Sequence, residues 1–159
     1  MRAKWLKAGL AGAVALALAA TARAETREFY IVTVHLDAKT NPVADAMHPA
    51  EPFPSSPFPS TSGMWVKGPA DNGDWFVRAF VFNPSQVVVM QGDDVVLHFV
   101  GVQGAAHTIA VQGVAEPVKF TRGTTATVKF KAEKPGIVDF ASTVLTPSMR
   151  GQVIVLPKN

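Results

Sequence analysis

Beyond residue 73, apolar and polar positions alternate with a period of two, the spacing of a strand with one face in a core. "DWFVRAFVFNPSQVVVMQGDDVVLHFVGV", starting at Asp74, holds three such runs, broken at Asn83-Pro84-Ser85 and at Gln91-Gly92-Asp93-Asp94. "HTIAVQGV", "TATVKFKA", "GIVDFAS" and "GQVIVLP" add four more, with a turn at Lys134-Pro135-Gly136. Residues 26–36, "TREFYIVTVHL", form a further strand by their β-branched and aromatic content. That makes about eight strands at the spacing of an antiparallel sandwich or barrel. No helical period appears after residue 24. The predicted fold class is all-β.

Two stretches break the simple pattern. Residues 41–63, "NPVADAMHPAEPFPSSPFPSTSG", carry six prolines, which exclude a central strand or a long helix. Phe53, Phe58, Met64 and Trp65 lie in or just after this segment. A disordered linker rarely holds so many aromatics, so an extended strap packed on the domain surface is expected. The second is "DVVLHFVG". Val95, Leu97 and Phe99 share one face, while Val96, His98 and Val100 share the other. An outer face so rich in valine calls for a cover, either the strap or a partner chain.

The N-terminus changes the charge picture. Arg2, Lys4 and Lys7, an apolar run over 8–20 and the sequence Ala22-Arg23-Ala24 fit a cleaved secretory leader, and hence a periplasmic protein. The apolar run is short for a bilayer span. The expected organisation is a leader at 1–24, the first strand and strap at 25–73, and the sandwich domain at 74–159. The leader takes four of the 15 Lys+Arg and none of the 12 Asp+Glu, so the remainder has 11 basic against 12 acidic residues, a net charge of −1. Nothing in that balance points to nucleic acid. The chain has no cysteine, which excludes both disulfides and thiolate chemistry.

Four segments in order resemble the cupredoxins, the small Greek-key copper sandwiches. They are "FVFNPSQVVVMQGDDVVLHFV", "HTIAV", "RGTTATVKFKAEKPGIVDF" and "MRGQVIV", and together they cover about 76–156. The resemblance implies a Greek-key cupredoxin-like β-sandwich preceded by the Pro-rich strap. It also implies copper chemistry, since a blue site sets two imidazoles and a thiolate around the metal under a weak thioether. On that pattern His107 matches the first histidine and Met149 the axial methionine. Ser142 stands where the cysteine belongs, and Thr146 where the second histidine belongs. A blue or dinuclear purple centre is therefore excluded.

An imidazole with a thioether still suits Cu(I). His107 and Met149 are the expected metal ligands, joined from the strap by Met47 and His48; His98 and Met90 are further candidates for a third ligand. The expected role is copper handling, or an accessory beside a redox partner. The alternative is a metal-free binding or assembly module that seats a protein partner or a second copy on the apolar strand face. No catalytic pattern is present: Gly-x-Ser-x-Gly, paired carboxylates and His-Glu-x-x-His are all missing, so a non-enzymatic protein is expected. Asp93-Asp94, following Gly92, reads as turn chemistry.

Overall fold

The computed structural model describes residues 24–40, 42–55 and 62–158; the leader up to residue 23 and Phe58 fall outside them. Ten strands follow in chain order: β1 (Thr26–Thr40), β2 (Met64–Lys67), β3 (Trp75–Asn83), β4 (Gln86–Met90), β5 (Asp94–Gly101), β6 (Ala106–Val111), β7 (Val118–Thr121), β8 (Thr125–Lys131), β9 (Gly136–Ser142) and β10 (Arg150–Leu156). They form two five-stranded sheets, ordered β2-β3-β1-β5-β8 and β4-β10-β9-β6-β7. The chain crosses between sheets after β3, β4, β5, β7 and β8, so the fold is a Greek-key sandwich. No helix among the described residues is long and apolar enough to cross a membrane.

Three features differ from the sequence reading. The short strands β2 and β7, four residues each, carry too few alternations to announce themselves. The pairing is mixed, because β1 runs parallel to β5 and β4 parallel to β10. β1 lies at the centre of its sheet, between β3 and β5. β1 runs four residues past its apolar pattern, to Thr40, because β3 pairs with it throughout that extension. There Arg78 donates to both carboxylate oxygens of its cross-strand neighbour Asp37, at 2.6 and 2.7 Å.

The core follows the alternation. Ile31, Leu97 and Phe99 from one sheet meet Ile109, Phe140 and Val153 from the other, all fully buried. The rings of Phe82, Phe99 and Phe140 pack in mutual tilted and edge-to-face contacts at 5.1–5.8 Å. The outer face of β5 is half-buried, and its His98 is engaged by neighbouring strands of the same sheet. On β1, Tyr30 stacks on the His98 ring at 4.6 Å and Glu28 pairs with its Nε2, while Thr127 of β8 bonds its Nδ1. His98 is thereby committed to these surface contacts.

Asp93, buried in the turn before β5, ties that turn to the start of the chain's first strand. Its carboxylate accepts hydrogen bonds from Met90 N at 3.0 Å and Glu25 N at 3.1 Å, and from Arg27 Nε at 3.4 Å. The Met90 amide, followed by the Glu25 amide and Arg27, holds this carboxyl below its ordinary value against the opposing effect of burial. The ionised form is therefore the one the fold favours. Its contribution is fully present above the unfolded value, near pH 4, and is lost as pH falls through the lower folded value. Replacing Asp93 with Ala leaves the part-buried Met90 and Glu25 amides without their acceptor, so a loss of about 1–3 kcal/mol in denaturant unfolding at pH 7 is expected. The difference between variant and parent should shrink below pH 4.

Candidate metal centre

His107, second residue of β6, points into the sandwich and is 2% exposed. Its ring lies between two phenylalanines: Phe120 stacks on it at 5.2 Å and Phe80 meets it edge-on at 6.4 Å. Nε2 stands 2.7 Å from the carbonyl oxygen of Gln103. A carbonyl only accepts, so Nε2 carries a proton, and in the neutral form of the ring the lone pair lies at Nδ1. That Nδ1 is buried without a hydrogen-bond partner among the described residues. Buried polar atoms are nearly always paired, because an unpaired one keeps its full desolvation cost.

The Gln103-Gly104 loop fixes this orientation. Gln103 is itself held, its N–H donating to Thr33 O and its side-chain oxygen accepting from His35 N at 2.7 Å. Gly104 has φ +89°, and a Cβ there would sit 2.6 Å from Nε2 and 2.7 Å from Cε1 of His107. Gly104→Ala is expected to cost at least about 1 kcal/mol from the backbone alone. It should also turn the imidazole away from Gln103, visible as a changed His107 ring signal in NMR.

Met149 and Ser142 sit at the same end of the second sheet. Ser142 N donates to Met149 O at 3.0 Å, and Thr143 N donates to Thr108 O at 2.9 Å, which sets the start of β6 and the end of β9 beside the start of β10. Met149 is 0% exposed and belongs to the core cluster. Ser142, buried at the end of β9, accepts from Val144 N at 3.3 Å and Leu145 N at 3.1 Å. Ser148 spends its hydroxyl on the Phe80 and Leu145 carbonyls, at 3.0 and 3.3 Å. Neither serine bonds the His107 ring.

The end of the strap closes over this loop. Gly63 O accepts from Phe80 N at 2.8 Å, and a Cβ on Gly63 would lie 2.4 Å from Ser148 Oγ and 2.5 Å from Leu145 O. Further back, Phe53 packs edge-on against Trp75 at 5.6 Å, and the Trp75 indole donates to Glu51 O. The aromatic strap thus does pack on the domain surface at these points. Met47 and His48 go elsewhere. Met47 is 84% exposed, and the exposed His48 ring pairs with Asp45 of its own segment. Among the described residues, no group of three or more His, Cys, Asp or Glu gathers at one point.

The buried soft donors at this end of the sandwich are the imidazole of His107 and the thioether of Met149, with no thiolate. They fit a low-coordinate soft ion such as Cu(I) better than a hard or tetrahedral one. Gln103, Gly104, Phe80 and Phe120, which frame His107, were not singled out from the sequence. A Gln-Gly pair just before the histidine is the one local hint; the phenylalanines reach it only through the fold.

An all-β Greek-key sandwich with a histidine entering β6 and a methionine entering β10 is the cupredoxin fold, and this chain lacks the cysteine of its copper loop. Solved structures agree on the fold. A multicopper oxidase, mgLAC, is 22% identical with a TM-score of 0.50 over 86% of this chain and 40% of that one. The copper nitrite reductase of Nitrosomonas europaea is 17% identical with a TM-score of 0.52 over 84% and 42%. A further multicopper oxidase is 22% identical with a TM-score of 0.51 over 84% and 43%. The chain thus spans less than half the length of these structures. No family model and no curated protein matches it.

Proposed function

We propose that the protein is a periplasmic copper-handling protein that holds Cu(I) in a buried, non-blue site, with no catalytic activity of its own. His107 supplies Nδ1 and Met149 its thioether. The observation that carries this reading is the unpartnered Nδ1 lone pair, in a ring whose other nitrogen is fixed by Gln103. Cu(I) supplies a soft acceptor that satisfies such a lone pair at low coordination number. Without a thiolate, the role is storage, delivery or support of a redox partner.

The test is Cu(I) titration of the purified protein, followed by NMR at the His107 ring and the Met149 methyl. Both signals are expected to move together in slow exchange, as suits a ligand set closed off from solvent. Unmoved signals at both residues, with copper in excess, would sink the reading.

A second reading, a metal-free binding module, is favoured by one observation. Trp65 on the edge strand β2 is 48% exposed, and its ring packs against Phe80 at 5.6 Å, beside Phe76 and Arg78. Metal-free protein that self-associates or captures a partner through Trp65, and loses this in Trp65→Ala, would support it.

A further inference from the structure

Asp45 organises a short turn in the strap. Its Oδ1 accepts from Met47 N at 2.7 Å and His48 N at 2.8 Å, and its own N–H donates to His48 O at 3.0 Å. The His48 ring closes back on the same carboxylate, with Nδ1 at 3.1 Å from Oδ1 and 3.3 Å from Oδ2. With Nδ1 turned to the carboxylate, Nε2 is the nitrogen of this exposed ring left for a ligand.

Next to it stands Met47, the most exposed of the large apolar side chains among the described residues. It contributes nothing to the core, and its thioether is open to approach. Adjacent thioether and imidazole donors, both rising from one hydrogen-bonded turn, make a soft pair suited to a low-coordinate ion. The carboxylate behind the imidazole is the arrangement that fixes the tautomer and strengthens a histidine ligand.

We propose that Met47 and His48 form a second, solvent-facing site for Cu(I), separate from the buried pocket of His107 and oriented by Asp45. The site draws on none of the residues of the proposed buried centre and stands or falls independently of it. Its exposure makes it a rapidly exchanging acceptor, in contrast to a closed one.

The experiment uses the full chain and Ag(I) as a redox-inert stand-in for Cu(I), with methionine-methyl and histidine-ring NMR. Met47 and His48 signals are expected to shift together in fast exchange. Met47→Leu and His48→Ala should each weaken this response at least about tenfold, and Asp45→Asn about tenfold. His107→Phe should leave it unchanged. Three results overturn the proposal: no shift at Met47 and His48 in excess Ag(I), a response that disappears in His107→Phe, which would make them ligands of one shared site, or full insensitivity to Asp45→Asn. Failure of the buried site would instead show at His107 and Met149 alone.

Discussion

His107→Phe is expected to remove copper from the buried site while leaving the protein as stable as the parent or slightly more so. The pocket is already aromatic, with Phe120 stacked on the ring and Phe80 at its edge, so a phenyl ring of similar size fits the same slot. Two terms oppose each other. The substitution removes a buried nitrogen that lacks a partner, a relief of about 1–3 kcal/mol. It also removes the Nε2 hydrogen bond to Gln103 O, worth about 1 kcal/mol. A histidine kept in the core for packing would give the opposite pattern, since its loss would cost stability and change no binding. Chemical denaturation and Cu(I) titration of the same variant decide the matter. Marked destabilisation with undiminished uptake at Met149 would show that the imidazole serves the fold rather than a metal. A side chain that costs stability where it stands is what a functional site leads one to expect.

The fold was legible because its strands obey strict alternation where it counts. Val95, Leu97 and Phe99, or Val153 and Val155, announce a buried face without reference to any partner. The positions of His107 and Met149 were legible for a related reason: His107 lies at the start of a strand and Met149 directly precedes one, so both follow from strand boundaries. What the sequence hid was non-local. Nothing in "DAKT" foretells that β1 continues to Thr40, because that depends on Arg78 reaching Asp37 across forty-one positions. The contacts of Tyr30 and Glu28 with His98 needed the parallel pairing of β1 with β5, which no local pattern encodes. The tautomer of His107 rests on a backbone carbonyl, and a carbonyl has no signature in sequence. The same holds for the strap. Its prolines exclude regular structure, but only the contact of Gly63 with Ser148 and Leu145 reveals that its end meets the loop between β9 and β10.

Met149 offers the sharpest separation of packing from ligation. A fully buried methionine truncated to Ala leaves a cavity in the hydrophobic core, and a loss of about 2–5 kcal/mol is expected. That result alone says nothing about copper, because any core side chain would give it. Met149→Leu nearly conserves volume and apolar character, so its stability cost should stay below about 1.5 kcal/mol. It deletes the thioether all the same. If Met149 is a ligand, Met149→Leu should weaken Cu(I) binding at the buried site at least tenfold while the unfolding midpoint barely moves. If Met149 only fills the core, copper affinity will follow stability, with Leu close to the parent and Ala alone impaired. Affinity and unfolding measured on both variants separate the two cases, and equal affinity in Met149→Leu and the parent would remove Met149 from the proposed site.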